Sequence, residues 1–303
     1  MINMVKKITD YFDNPSISQS FLKGVLDNNT EKYSTSNMRK GSLLDVLTTC
    51  PDEYDLYYKT VVCDKVSDKI EKIFNELISN KLDLANPSDE EQILHICSKL
   101  NYYEGTKKAL TTLLKEIKTF ELMNKYKGFE LIHPDTLKQE HSIATRLRKW
   151  VPFTPEKCQL PIFENLNGIV TKDVPCKGLL DYFCLENELI VDLKRTEVTI
   201  KEFVFIAKKF RYALQASFYC DLVYKKYGIM PNFNWLVYSS ADDKIALFTS
   251  NENDLDVGRY GNTYTKGYME AIDIYTYCVT HKYPDWDIDY HRNSGVYDLR
   301  IYR

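Results

Sequence analysis

The stretch of sequence that decides the fold reads Gly178-Leu-Leu-Asp181-Tyr-Phe-Cys-Leu-Glu-Asn-Glu-Leu-Ile-Val-Asp192-Leu-Lys194. Two runs rich in β-branched and aromatic residues flank the polar pair Glu186-Asn187, a pattern typical of two strands joined by a turn. With a two-residue turn, residues whose numbers sum to 373 face each other, so Asp181 lies directly across from Asp192. Because side chains alternate between faces along a strand, Lys194 shares a face with Asp192.

Two carboxylates directly opposite each other destabilise a sheet unless positive charge compensates them. Lys194 supplies part of that charge, and a divalent cation held between Asp181 and Asp192 would supply the rest. Carboxylate oxygens are hard ligands, so the pair favours Mg²⁺, with Mn²⁺ as a substitute, over Zn²⁺. The stretch therefore predicts a site for a divalent cation between Asp181 and Asp192, with Lys194 as a further compensating charge.

A long helix is expected to follow, from residue 200 to residue 227, with Gly228 as its C-cap. Spacings of three and four residues predict a shared polar face that comprises Lys208, Arg211, Tyr212, Gln215 and Tyr219. A neighbouring apolar stripe, expected to pack on the sheet, comprises Phe210, Leu214 and Phe218. Taken alone, the polar face suits a solvated helix. Beside a carboxylate pair it suits a phosphate backbone and a splayed strand, with Lys208, Arg211 and Tyr212 as DNA contacts.

Apolar residues at helical spacing indicate that residues 1–150 are mostly helical. The remainder, residues 151–303, is expected to hold the sheet, with further strands near 159–163, 168–172, 234–238, 244–249 and 296–302 and a helix at 256–281. Helices followed by a sheet with an embedded helix predict an α/β (α+β) chain. We expect the two parts to form one domain.

Composition narrows the function classes. The net charge of −3 excludes a protein coated in basic charge, although a local basic groove remains compatible with it. No run of about 18 apolar residues and no signal peptide is found, so a cytoplasmic protein without a membrane span is expected. The eight cysteines lack metal-site spacing and are expected to be buried, reduced thiols without an Fe–S cluster. Without a phosphate-binding glycine loop, we expect no ATP.

The ordered set Gly-x-x-Asp181, Asp192-x-Lys194 and Gln215-x-x-x-Tyr219 resembles the PD-(D/E)XK nuclease superfamily. Within it, the chain is similar to the RecE (exonuclease VIII) type of phages and prophages, and more distantly to phage lambda exonuclease. Other segments that match that type are Ser18-x-Ser20, Gly41-Ser-Leu-Leu-Asp45, Gly267-Tyr268 to Tyr283 and Trp286. Asp45 stands where a histidine is common in the family, which is a departure from the pattern.

The resemblance implies a restriction-endonuclease-like core, with a mixed central sheet flanked by helices. It also implies a Mg²⁺-dependent exodeoxyribonuclease that digests double-stranded DNA from its ends, 5′ to 3′, in phage-type recombination. Asp181 and Asp192 match the metal-binding acids, with Asp45 as a further candidate ligand from the helical part, and Lys194, Gln215 and Tyr219 match the remaining catalytic positions. Implied partners are a single-strand annealing protein and further copies of the chain in a ring-like trimer or tetramer.

Two alternatives stay open at this point. One is a structure-specific or single-strand endonuclease with the same chemistry, which would cut circular DNA. The other is a non-catalytic DNA-binding protein on the same fold, which would not need the intact set of Asp181, Asp192 and Lys194.

Overall fold

A computed structural model of the protein describes residues 10–29, 36–62 and 66–287. The chain is an α/β protein with a mixed central sheet flanked by helices, as the sequence predicts. It divides into two compact units, whose described residues are 10–29, 48–50 and 146–287 in one and 36–47, 51–62 and 66–145 in the other. The strand expected at 296–302 lies outside the described residues. That the parts form one nuclease domain stays a prediction.

Strands and helices are numbered in chain order. The strands are β1 (Ile17–Ser18), β2 (Tyr58–Thr60), β3 (Glu130–Ile132), β4 (Cys158–Leu166), β5 (Val174–Cys184), β6 (Leu189–Thr196), β7 (Asn232–Ser239) and β8 (Lys244–Thr249). The helices are α1 (Gln19–Leu26), α2 (Ser36–Thr49), α3 (Tyr54–Tyr57), α4 (Asp68–Ser79), α5 (Glu90–Lys99), α6 (Lys107–Lys115), α7 (Ile117–Lys125), α8 (Pro134–Leu147), α9 (Phe203–Lys209), α10 (Tyr212–Tyr227), α11 (Glu252–Tyr260) and α12 (Tyr268–His281).

The unit of residues 36–47 and 51–145 is mostly helical, as its periodicity predicts. Helix α4 shows why: the Ser67 hydroxyl caps its start by accepting from the Ile70 amide, and Ile73, Phe74 and Leu77 bury one face. Phe74 meets Phe120 of α7 edge-on, with ring centroids 5.3 Å apart. The parallel pair β2–β3 completes this unit.

Strand β5 is the hub of the six-stranded sheet in the other unit. It pairs antiparallel with β4 along most of its length, antiparallel with β6 near its C-terminal end and parallel with β1 near its N-terminal end. Strand β6 pairs parallel with β7, which pairs antiparallel with β8. Nearly all of β7 is buried, as is typical of a strand covered on both faces.

The strand predicted at residues 168–172 is wrong, because these residues form the loop between β4 and β5. Their β-branched composition suits a strand, but their backbone amides have another partner. The amides of Ile169, Val170 and Thr171 all donate to the Asp273 carboxylate of α12. A side chain distant in sequence thus supplies the hydrogen bonds that a neighbouring strand would otherwise provide.

Both long helices predicted in the C-terminal half are interrupted. The one expected at 200–227 is a 3₁₀ turn followed by α9 and α10, which part at Arg211, where the backbone is left-handed with φ 53° and ψ 46°. The one expected at 256–281 is α11 and α12, which part at Gly261 with φ 82°. The Arg211 break also corrects the predicted apolar stripe: Leu214 and Phe218 are buried, but Phe210 is 49% exposed.

Helix α10 lies at the centre of the main core and is held tightly by its neighbours. The Arg259 guanidinium of α11 binds both oxygens of Asp221, at 2.7 and 2.6 Å, and the Tyr268 hydroxyl donates to the same carboxylate at 2.5 Å. Gly258 lets α11 approach closely, because an added Cβ would lie 2.0 Å from the Ala213 carbonyl oxygen of α10.

The seven cysteines in the described ranges are buried, and no disulfide joins any two of them. Among the helices that the structure describes, none is long and apolar enough to cross a bilayer.

We predict that Gly258→Ala lowers the free energy of unfolding by about 2 kcal/mol, because the new methyl group would collide with backbone rather than with a mobile side chain. Urea titration followed by circular dichroism measures this change. The matched control is Gly41→Ala within α2, where an added Cβ meets no atom within 4 Å. The control should be neutral or stabilising by up to about 1 kcal/mol. Equal effects of the two substitutions would contradict the close packing of α11 on α10.

Candidate active site

The candidate site lies where β5 and β6 separate, a place we call the fork, formed by Asp181 and Asp192. The β5–β6 pairing runs from Cys184 opposite Leu189 to Tyr182 opposite Val191, so the two acids are the next pair along. Here the ladder stops, and the Leu193 amide donates to Asp181 Oδ2 at 2.8 Å. A carboxylate therefore takes a hydrogen bond that a strand carbonyl would take in an unbroken ladder.

The register predicted from the sequence is confirmed, but the predicted turn is wrong. The loop has four residues, Leu185 to Glu188, rather than the two residues Glu186-Asn187, and Glu188 adopts a left-handed backbone with φ 49°. Because the loop gains one residue on each side, facing residues keep the same sum and Asp181 stays across from Asp192.

The Asp192 carboxylate is 4% exposed and is matched by two partners. Gln215 Nε2 of α10 donates to its Oδ1 at 2.8 Å, and Lys194 forms an ion pair with its Oδ2. Burial disfavours the charged form of Lys194, but the attraction of Asp192 outweighs it, so the pKa of Lys194 stays above its usual value. The motif lysine is thus a fixed positive charge at the fork.

Asp181 is in a different electrostatic setting. Burial, and then the negative charge of Asp192, raise the pKa of the Asp181 carboxyl to about 7, although Lys194 and the Leu193 amide oppose this rise. Gln159 Nε2 of β4 also lies 3.4 Å from Asp181 Oδ1. Gln159 was not foreseen from the sequence, and its left-handed backbone, with φ 46°, marks it as a strained residue beside the acids.

Helix α10 provides the second layer of the site. Gln215 is 5% exposed, and its Oε1 is buried with no hydrogen-bond partner among the described residues. Tyr219, one turn further, is buried in the core, and this burial raises its pKa well above the usual value, so its hydroxyl stays protonated. Gly178 of the predicted motif allows α10 close to β5, since a Cβ there would approach the Tyr219 ring to 3.1 Å.

The left-handed Arg211 at the start of α10 sets the position of the next residue, Tyr212. The Tyr212 ring lies 5.2 Å from the Lys194 ammonium and 5.4 Å from the ammonium of Lys23 in α1. Arg211 itself forms an ion pair with Asp27, with Nη2 and Oδ1 3.1 Å apart. Lys23 was also missed in the sequence, because nothing local signals that α1 reaches β6.

The structure brings together Asp181, Asp192, Lys194, Gln215 and Tyr212, with Tyr219 packed beneath them. Lys208 lies on α9, before the helix break, and is exposed, so the shared helical face predicted for it with Gln215 does not form. Asp45 belongs to the other compact unit, and its role as a ligand stays a prediction.

The chemistry of the fork fits a hard divalent cation. Two facing carboxylates, one with a raised pKa, and a buried amide oxygen without a partner are oxygen donors that Mg²⁺ or Mn²⁺ would satisfy. In the ranges that the structure describes, no group of three or more His, Cys, Asp or Glu side chains is arranged to hold a metal ion. Asp181 and Asp192 are the two carboxylates at the fork that could hold such a cation.

Comparisons with known proteins add little to this description. No protein-family model and no curated protein matches the chain. Among solved structures, the chain is similar to a crystal structure described as a "putative exonuclease" from Eubacterium rectale, with 14% sequence identity and a TM-score of 0.37. The match covers 90% of this chain and 92% of that chain. At that level of similarity the likeness bears on neither the fold nor the function.

Proposed function

We propose that this protein is a metal-dependent nuclease that hydrolyses phosphodiester bonds of DNA at the fork. The observation that carries the proposal is the arrangement around Asp192: a facing acid, an ion-paired lysine and a buried glutamine, all fixed on neighbouring elements. A carboxylate pair with a fixed cation suits the transfer of a phosphoryl group to water. A protein that only bound DNA would have no use for two acids facing the phosphates.

The residues divide the work as follows. Asp181 and Asp192 would hold Mg²⁺, or Mn²⁺ in its place, and that cation when bound supplies Lewis acidity to the phosphate and to the attacking water. Lys194 keeps its charge and stabilises the negative charge that builds on the phosphate as water adds and the bond to the leaving oxygen breaks. Gln215 holds Asp192 in place through Oδ1, and Tyr219 supports Gln215 from the core.

The finer proposal is an exodeoxyribonuclease that digests double-stranded DNA from its ends, 5′ to 3′, in phage-type recombination. It rests on the resemblance to the RecE type, as do a ring-like homo-oligomer, a single-strand annealing partner and a cytoplasmic location in a bacterial host. Lys208, Arg211 and Tyr212 are the proposed DNA contacts. Arg211 and Tyr212 adjoin the fork, which supports their part in this proposal.

We predict that Asp192→Asn lowers the rate of DNA cleavage about 10³-fold, because it removes a ligand charge and the partner of Lys194. The assay incubates linear and covalently closed circular duplex DNA with Mg²⁺ or EDTA and follows both by gel electrophoresis. The matched control is Asp256→Asn on α11, whose side chain is 66% exposed and should be dispensable. Loss of linear DNA alone supports an exonuclease, whereas cutting of the circle reassigns the protein as an endonuclease. A fully active Asp192→Asn protein would refute the site.

We predict that the affinity for Mn²⁺ rises about tenfold per pH unit up to about pH 7 and then levels off. The reason is that Asp181 holds a proton below its raised pKa, and cation binding must displace it. Calorimetric titration between pH 5.5 and 8.5 measures this dependence, and Asp181→Asn should remove it. The same raised pKa makes the stability of the metal-free protein depend on pH. The contribution of Asp181 to the free energy of unfolding is fully present below about pH 4 and is lost as the pH rises through about 7. An affinity for Mn²⁺ that does not change with pH would contradict the raised pKa of Asp181.

A further inference from the structure

Lys23 is a half-buried lysine that no part of the proposed mechanism uses. It lies in the last turn of α1, and α1 begins directly after β1, which pairs with β5 at Cys176 and Lys177. One edge of β5 is taken by β4, so β1 and β6 share the other edge, on either side of the stretch that ends at Asp181. Helix α1 therefore starts along the same edge of β5 as β6, and the Lys23 ammonium reaches the Tyr212 ring, which Lys194 of the fork also contacts.

The Lys23 ammonium shares one aromatic ring with the motif lysine. Its Nζ lies 5.4 Å from the centroid of the Tyr212 ring, and Lys194 Nζ lies 5.2 Å from the same centroid. The two ammonium groups are thus no farther apart than the sum of these distances. A separation within that bound lets the two ammonium groups contact neighbouring phosphates of one strand.

The two lysines differ in how their charge is balanced. Lys194 has the Asp192 carboxylate as its ion-pair partner, whereas no carboxylate within the described residues lies within ion-pair distance of Lys23. Burial, and then the like charge of Lys194, lower the pKa of Lys23 to about 7, with a smaller contribution from Arg211. Asp192 and Asp27 oppose this shift without cancelling it.

The charged form of Lys23 needs a negatively charged partner to be stable in this setting. Three cations, Lys23, Lys194 and Arg211, converge on a partly desolvated place where Asp192 and Asp27 are each already paired with one of them. An incoming anion would stabilise the charged form of Lys23 and relieve the repulsion among the three. Phosphate oxygens of a nucleic-acid strand have the charge and hydrogen-bonding capacity for this place.

We propose that Lys23 binds a phosphate group of the DNA strand at the fork and forms, with Lys194 on the Tyr212 ring, a phosphate-binding subsite supplied by the N-terminal helix. This inference rests on the proposed function and adds to it a residue outside the Asp-x-Lys motif. Lys23 holds the strand through charge and hydrogen bonding, whereas Asp181, Asp192 and Lys194 perform the chemistry.

The test measures binding separately from cleavage. Full-length wild-type protein, Lys23→Gln and Lys23→Arg are titrated into a fluorescein-labelled duplex and a labelled single strand in EDTA, over a range of NaCl concentrations. Fluorescence anisotropy gives the affinity at each salt concentration. The matched control is Lys226→Gln at the far end of α10, since Lys226 Nζ also lies over a tyrosine ring, 5.6 Å from the Tyr227 centroid. Circular dichroism confirms that each variant is folded, and Mg²⁺ is then added to follow cleavage.

Lys23→Gln should bind about tenfold more weakly at low salt, because a charge-assisted contact is lost. The slope of log affinity against log salt should shrink by about 0.7 on single strands and about 0.9 on duplex. Lys23→Arg should retain most of the affinity, and Lys226→Gln should match the wild type.

The other outcomes decide between the phosphate subsite and the nuclease proposal, or overturn both. If Lys23→Gln matches the wild type in affinity and slope, Lys23 is not a phosphate ligand, whether or not the protein cleaves DNA. If Lys23→Arg loses as much affinity as Lys23→Gln, the defect lies in packing and the inference is overturned. If Lys23→Gln binds weakly as expected but the wild type cleaves nothing with Mg²⁺, the subsite stands and the nuclease proposal falls. If the wild type binds no DNA, both fall.

Discussion

The negative charge of Asp192 has to be balanced in a place that water barely reaches, and the elements around β6 are arranged to meet that constraint. Lys194 meets it from the same strand, and Gln215 meets it from α10. For Gln215 to reach Asp192, α10 must lie close against the sheet, which Gly178 on one side and Gly258 on the other permit. The packing of the core and the electrostatics of the site are therefore parts of one arrangement.

The fork also explains why a sheet tolerates two facing acids. In an unbroken antiparallel ladder, two carboxylates at this spacing would repel each other with no donor nearby. Here the strands part at that point, and the Leu193 amide turns to Asp181. Burial, and then the remaining repulsion from Asp192, raise the pKa of Asp181, so an electrostatic cost of ionising this carboxyl is stored at the fork. Such stored electrostatic cost is typical of sites that await a cation or a substrate.

The sequence correctly predicted the features that depend on the alternation of side chains along a strand and on the pairing of two strands across a turn. Asp181 and Asp192 face each other as predicted, although the predicted turn is wrong, because the loop gains one residue on each side. Gln215 donates to Asp192 from a position that the sequence also assigns to a helix. Prediction failed where a distant side chain decides the backbone. The residues around Arg211 contain no glycine or proline that would signal a break in the helix.

Two residues near the site were not predicted from the sequence, for a related reason. Gln159 reaches Asp181, and Lys23 reaches the Tyr212 ring, only because β4 and β1 both pair with β5. No local sequence pattern encodes that strand order. A polar residue at the edge of a short helix looks like a solvated side chain until the topology places that helix at the fork. A sequence motif identifies site residues on strands that are adjacent in the sequence. It does not identify site residues that the sheet brings close from distant parts of the chain.

The loop between β4 and β5 has a consequence for the order of folding. Its amides at Ile169, Val170 and Thr171 are satisfied by Asp273, a residue about a hundred positions later in the chain. During synthesis the β4–β5 hairpin leaves the ribosome well before α12 exists, so its tip has to wait for the carboxylate that fixes it. Contacts of such long sequence separation form late. The hub strand of the sheet thus gains its final anchor only when the last described helix docks.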